Sequence, residues 1–233
     1  MTVIEKLNYK IRHGLVTDAM VAKLDKILLR RLRSKNINVI IPFYLYLEGI
    51  FGEYSQYDRD GFEDYEIGFL KPEDMKDIAS YQRDGWASEK DLLARLSDGH
   101  KCYGVKYRGK IAAFTWCNFQ RCHSFLYKFP LRDNEAYLWD AYTIESFRGR
   151  GIAPHLRFKF YKVLHTMGRN RFYSFSLFFN RSAIRFKSKL NARPLILCLH
   201  FKGFKKNYMS LKIKNYDSPN YLDKRIKLIN FSN

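Results

Sequence analysis

The chain has 233 residues, 46% of them hydrophobic and 17% aromatic, enough apolar material to bury a full core and too much for a disordered polyelectrolyte. Its longest apolar run, Val39 to Leu47, is broken by Pro42 and falls far short of the ~20 residues that cross a membrane as a helix. The formal charge of +19 is concentrated in one half: residues 1–147 carry 22 Lys and Arg against 21 Asp and Glu, whereas residues 148–233 carry 20 against 2.

Val16 to Lys35 has the spacing of an amphipathic helix, with Leu24, Ile27, Leu28 and Leu32 on one side and Lys23, Lys26, Arg30, Arg31 and Arg33 elsewhere. Asn38 to Gly49 reads as a strand and Phe51 to Asp64 as an acidic loop. Early charges at Glu5 and Lys6, without an apolar signal core, predict that the chain is not exported. Tyr65 to Leu70 is strand-like, and Lys71 to Asp77 follows with Pro72 and acidic residues suited to a first helical turn. Ser88 is a candidate N-cap for a helix reaching Leu96. Lys101–Tyr107 and Ile111–Asn118 flank Arg108-Gly109-Lys110 as a hairpin.

Gln120 to Asn134 is a longer connection, in which Phe125-Leu126-Tyr127 has the composition to extend a sheet. Ala136 to Ile144 is aromatic and β-prone enough for a buried strand. Beyond it Ile152, Leu156, Phe160, Leu164 and Met167 recur at helical spacing, with Pro154 tolerated in the first turn. Arg171 to Phe179 reads as a strand and Asn180 to Leu190 as a helix. Arg193–Phe201 and Tyr208–Ile213 read as a closing hairpin, and Lys214 to Asn233 as a tail of little periodicity. Cys102, Cys117, Cys122 and Cys198 lack CxxC spacing, which predicts reduced thiols in a cytoplasmic protein and no metal.

Between the aromatic strand and the apolar helix lies Arg148-Gly149-Arg150-Gly151-Ile152-Ala153. A helix N-terminus offers unpaired N–H groups and partial positive charge to anions. Gly149 and Gly151 have no side chain to hold a pyrophosphate away, and Arg148 and Arg150 add charge and bidentate geometry. The Gly-Lys-Ser/Thr ending of a P-loop is absent. The dinucleotide fingerprint is broken by Pro154 and lacks its acidic residue downstream. The residues alone leave two readings open, an anion site or an ordinary basic turn capping a surface helix.

Arg148-x-x-Gly151-x-Ala153 resembles the acyl-CoA pyrophosphate loop of the GNAT superfamily of N-acetyltransferases, and the wider run Thr143 to Ala153 follows that pattern almost throughout. Asn180 to Leu190 resembles the family's asparagine-then-helix segment after its fifth strand. The resemblance runs from about Tyr65 to Leu211. It implies an α/β (α+β) fold: a mixed, mostly antiparallel sheet splayed between the family's fourth and fifth strands and flanked by helices. The implied domain division is 1–64 as an extension, 65–213 as the acyltransferase domain and 214–233 as the tail.

It also implies acetyl-CoA or another acyl-CoA as co-substrate. By position, the main chain of Ala141, Tyr142 and Thr143 would line pantetheine, and Arg148, Gly149, Arg150, Gly151, Ile152 and Ala153 would hold the pyrophosphate. Asn180 and Ala183 would contribute to the same ligand. An acidic residue at the position of Asp140 commonly faces the acceptor, which makes Asp140 the first choice of base, with Tyr142, Glu135 and His123 in reserve. Strand alternation puts Leu138, Asp140 and Tyr142 on one face and Trp139, Ala141 and Thr143 on the other. The chain departs from the family at Lys187, where a tyrosine often protonates the leaving thiolate, and at Asn191, often a glycine. Lys187 would then donate the proton itself or contact a CoA phosphate.

The expected reaction is acyl transfer to a primary amine. Tyr127, Glu135, Tyr137, Trp139, Asp140 and Tyr142 form an aromatic, partly acidic set suited to an amino sugar, and the basic half suits its linked nucleotide, as in surface-polysaccharide synthesis. The basic half also fits other anions: an acidic carrier protein, nucleic acid or an anionic membrane reached through the Val16–Lys35 helix. Acylation of aminoacyl-tRNA or a protein amine is the alternative acceptor class, and a CoA-binding module without turnover the non-enzymatic one. Monomer and homodimer are both compatible with the residues. The expected location is cytoplasmic, with a peripheral place at the inner membrane face if the helix is used.

Overall fold

Strand formation in this chain follows the alternation of large apolar residues, and one sheet results. The computed structural model describes residues 41–52, 64–81, 87–124, 128–202 and 208–216. The expected Val16–Lys35 helix, most of the acidic loop, Trp86, the Phe125–Tyr127 segment and most of the tail lie outside the described residues.

In chain order the elements are β1 (Ile41–Glu48), β2 (Tyr65–Phe69), a 3-10 turn at Pro72–Asp74 leading into α1 (Met75–Tyr81), α2 (Glu89–Ser97), β3 (Lys101–Tyr107), β4 (Lys110–Asn118), the short β5 (Arg121–His123) and β6 (Lys128–Pro130), and β7 (Glu135–Thr143). A 3-10 turn at Glu145–Phe147 precedes α3 (Ile152–Thr166), and β8 (Arg171–Leu177), α4 (Arg181–Lys189), β9 (Arg193–Lys202) and β10 (Tyr208–Asn215) complete it. Helix starts obey capping chemistry. Ser88 and Asp91 form a capping box on α2, and the Asn180 side chain accepts from Ala183 N–H on α4.

Eight strands form one sheet in the order β10-β9-β1-β8-β7-β4-β3-β2, and β5–β6 form a separate ribbon. Every pairing in the large sheet is antiparallel except β7 with β8. One face packs on α3, through Leu156, Phe160, Tyr161 and Leu164 against Ala112, Cys117, Ala136, Leu138 and Phe172. The other packs on α1 and α2, through Met75, Ile78 and Leu92 against Cys102, Ile111, Phe114 and Trp116. The mixed, mostly antiparallel sheet with flanking helices is the expected fold. The four cysteines are free and buried.

The N-terminal strand departs from expectation. Sequence reading set residues 1–64 outside the acyltransferase core, yet β1 lies inside the sheet, antiparallel to β8 on one edge and β9 on the other. Its burial explains why. Phe43, Leu45 and Leu47 enter an apolar cluster with Tyr137, Tyr173 and Ile196, while Tyr46 and Glu48 are buried on the opposite face. A strand with both faces covered belongs to a sheet interior. Burying the three apolar side chains stabilises by roughly 1.5–3 kcal/mol each.

Candidate active site

Two parallel strands part company at the centre of the sheet. β7 and β8 pair at Glu135↔Arg171, Ala136↔Phe172 and Tyr137↔Tyr173, and no further. Leu138–Thr143 of β7 continue against β4, and Ser174–Leu177 of β8 against β1. Among the described residues the facing edges of these two segments are paired with no strand, so main-chain N–H and C=O groups line a slot that opens toward the C-terminal ends of both strands.

Beside the open end, β7 is bulged. Phe114 pairs with Tyr142 and Trp116 with Trp139, so Asp140 and Ala141 together face Thr115. Asp140 takes the positive φ of 49° that such a bulge demands. The bulge corrects the expected alternation: Trp139 and Tyr142 pack against the same α1–α2 cluster, while Leu138 packs under α3. Asp140 accordingly points at α2, where its Oδ2 accepts from Arg95 Nη1 at 3.0 Å. Burial pushes the Asp140 carboxyl above its ordinary value, against the pull of Arg95.

Arg95 itself lies over the indoles of Trp139 and Trp116, its guanidinium carbon 4.6 and 5.3 Å from their centroids. Next to them, His100 Nε2 meets Asn118 Nδ2 at 3.0 Å. Asparagine Nδ2 can only donate, so His100 Nε2 accepts and Nδ1 carries the proton. Burial holds the ring below its usual pKa, hence neutral. The Nδ1 of His100 and the Nε1 atoms of both indoles are buried without a hydrogen-bond partner among the described residues. Three buried N–H donors and an ion pair thus form a packed wall between β4, β7 and α2.

The glycine turn stands at the slot's mouth. Gly149 and Gly151 have φ of 81° and 77°, which only glycine adopts without strain, and open space lies where a Cβ would point. Gly151 is the N-cap of α3 and offers no side-chain cap, and the first turn holds no acidic residue. The N–H groups and the positive end of this 15-residue helix are therefore uncompensated from within. Arg148 and Arg150 are exposed; Arg148 Nε donates to Thr143 O at 3.1 Å and its guanidinium covers Tyr142. Ile152 is buried and anchors the turn.

Lys187, expected to face the ligand as an acid or a phosphate contact, is instead 4% exposed and bound at 2.5 Å to Glu48 Oε1. Ser174 Oγ donates to the same oxygen and accepts from Lys187 Nζ. Tyr161 OH donates to Glu48 Oε2 at 2.5 Å, and Arg157 Nε lies 3.7 Å from it. Burial alone would push the Glu48 carboxyl up; Lys187 and Arg157 outweigh it and bring the pKa down to about 2. Burial lowers the Lys187 pKa and Arg157 lowers it further, against Glu48. Arg157 adds to both shifts, since it favours the carboxylate and opposes the ammonium.

Other expected site residues are placed elsewhere. Glu135 sits at the closed end of β7, accepting from Arg132 N–H and Tyr173 OH, and Arg169 donates to its carbonyl. Tyr137 is buried, stacked on Trp139 and edge-on to Phe175, so it supports the wall without reaching an acceptor. Ala183 spends its N–H on Asn180, whose side-chain oxygen is likewise used, leaving the Asn180 amide NH2 for a ligand. His123 is an exposed residue of the β5–β6 ribbon, and Tyr127 lies outside the described residues. A cavity of about 390 Å³ lined by Asn134, Asn170, Arg171 and Arg193 lies at the closed end of the β7–β8 pair, away from the slot.

Glu48, Arg95, Arg157 and Ser174 were missed from sequence. The available signal was Arg157 with Tyr161 four residues on, polar groups embedded in the apolar register of α3. Nothing in the sequence pairs them with Glu48.

Residues 61–191 match the sequence profile of the acetyltransferase (GNAT) family. Among solved structures, similarity extends to an acetyltransferase from the GNAT family of Colwellia psychrerythraea (TM-score 0.50, 16% identity, 70% of this chain and 56% of that one). It extends also to a tandem GNAT protein from the clavulanic acid biosynthesis pathway (0.51, 13%, 76% and 55%). A third is a GCN5-related glucosamine N-acetyltransferase region in a fungal multi-domain GH3 β-N-acetylglucosaminidase (0.53, 14%, 71% and 21%). The chain thus spans little more than half the length of the first two. No curated protein matches it.

Proposed function

Because the chain belongs to the acetyltransferase (GNAT) family, we propose that it transfers an acyl group from CoA to the primary amine of an amino sugar, nucleotide-linked in its preferred form. The observation that carries the reading is the slot between β7 and β8, opening beside a helix N-terminus with no side-chain cap and no acidic residue in its first turn. Gly149, Arg150, Gly151, Ile152 and Ala153 would hold the pyrophosphate, and the free main-chain edge of Ala141, Tyr142 and Thr143 would hold the pantetheine arm. Bound there, CoA supplies the acyl group as a thioester. Asp140, at the bulge, takes the proton the amine gives up on attacking the carbonyl. Its raised pKa suits that work, and Arg95 fixes its orientation.

For the acceptor, the support is the half-buried Trp139 and Arg95 beside Asp140. A half-buried indole face with a guanidinium over it, beside the proposed base, suits a ligand rich in oxygen acceptors and apolar ring edges. The glucosamine-directed activity named for the fungal neighbour agrees in class. Incubation with acetyl-CoA and a panel of amino sugars, free and nucleotide-linked, tests the assignment by thiol release. Release only with peptides or polyamines rejects the sugar.

A second reading, acylation of an aminoacyl-tRNA, is favoured by Arg181, Arg185 and Lys189, exposed at intervals of four along α4. One stripe of a helix at that spacing presents its charges in a row. RNA binding whose logarithm falls steeply with salt would support it.

A further inference from the structure

Acyl transfer releases an anion inside the protein. The amine nitrogen bonds to the carbonyl carbon, the C–S bond breaks, and its electron pair goes to sulfur, while the amine's proton goes to the base. Where the sulfur's charge is received is not answered by Lys187 alone, which is already engaged by Glu48.

Among the described residues, the buried cluster under α3 carries one positive charge too many. Lys187 and Arg157 face a single carboxylate, Glu48, and the other groups around them are neutral: Ser174 and Tyr161, and Tyr46, whose pKa burial raises to about 12. Cys117, across on β4, also feels Arg157, but burial pushes its thiol up to about 12, so it too is neutral. Arg157 is 3% exposed, and its Nε and Nη1 have no hydrogen-bond partner among the described residues. A buried guanidinium with unpaired N–H groups is costly unless an anion completes it.

Its place in the fold says where that anion comes from. Ser174, bonded to Lys187, is the first residue of β8 beyond the last β7–β8 pair, at the apex of the slot. α3 connects two parallel strands and so runs back along them. Arg157 stands one turn nearer the glycine loop than Tyr161, between the apex and the mouth. We propose that Arg157 and Lys187, held by Glu48 from the N-terminal strand, form the receptor for the leaving thiolate, replacing proton donation with charge compensation. Glu48 acts as a positioning residue: it keeps both cations buried and cancels only one of them. The proposal rests on the slot being the thioester site.

The test compares CoA with desulfo-CoA, which lacks only the sulfur, by calorimetry on the full chain from pH 6.5 to 9. An ordinary thiol ionises near pH ~8.5. If the thiolate is preferred, CoA affinity rises over this range by about tenfold more than that of desulfo-CoA, tenfold being one unit of thiol pKa. Protein groups and phosphates act on both ligands and cancel. In Lys187→Met, Glu48 is neutralised by Arg157, the excess charge is gone, and the CoA-specific rise disappears while desulfo-CoA binds as before. Parallel pH curves for the two ligands in the wild-type protein overturn the proposal and leave the donor assignment standing, whether or not the variant folds. Failure of both ligands to bind overturns the donor assignment, and the proposal with it.

Discussion

Replacing Glu48 with glutamine is the most informative perturbation of this fold. Glutamine keeps the shape and removes the charge, leaving the Lys187 ammonium and the Arg157 guanidinium buried without a counter-ion. Breaking a buried pair by removing one partner costs about 3–5 kcal/mol. The carboxylate itself gives an independent figure. A fall from the ordinary value of 4.5 to about 2 corresponds to about 3 kcal/mol of stability. The folded pKa is depressed, so this stability is present in full above pH 4.5 and is lost as pH falls toward 2.

Urea denaturation at pH 7 should therefore show Glu48→Gln less stable by about 3–5 kcal/mol, with the gap narrowing below pH 4.5. Adding Lys187→Met should recover much of the loss, because only one cation is then uncompensated. A loss under about 1 kcal/mol, the size expected of an exposed pair, would refute the buried-cluster argument, as would a gap that ignores pH or a double variant that is simply additive.

Three further outcomes follow from the site. Asp140→Asn should cut thiol release by about 10²–10⁴-fold while calorimetry finds CoA affinity unchanged; loss of affinity instead would assign Asp140 to the ligand. In the wild type, kcat/KM should fall as pH drops through a carboxylate pKa above the ordinary range, since the base must be ionised to act. Arg95→Met should move that acid limb to higher pH by removing the cation that opposes the shift, and an unmoved limb would exclude Asp140 as its origin. Gly151→Val places a β-branched residue at φ 77°, costing about 1–2 kcal/mol, and should abolish CoA binding measured by calorimetry; unaltered affinity would remove the turn from the site.

What the sequence disclosed about this protein depends on how local the physics is. The glycine turn, the α3 register, the hairpin of β3 and β4, and the Ser88 cap are set by neighbours within a few residues, and they stand where spacing put them, whereas Asn180, read as a ligand contact, spends its side-chain oxygen capping α4. The splay between β7 and β8 was expected from the family resemblance and not from local physics. The bulge at Asp140 was not legible, because an aromatic strand alternates on paper and the extra residue is visible only against β4. Nor was the partner of Lys187: Glu48 lies 139 residues away, on a strand that resemblance assigned to an appendage. The missed partner and the misassigned strand have one cause. A lysine where the family often has tyrosine requires a buried counter-charge, and neither β7 nor β8 offers one on that face within the slot. The carboxylate had to come from a strand on the far side of β8, so the position of β1 inside the sheet and the lysine on α4 are two halves of one arrangement. Lys187 without Glu48 would be a buried cation beside a second one, whereas Glu48 without Lys187 would keep Arg157 as its counter-ion, so the arrangement depends more on the carboxylate than on the lysine.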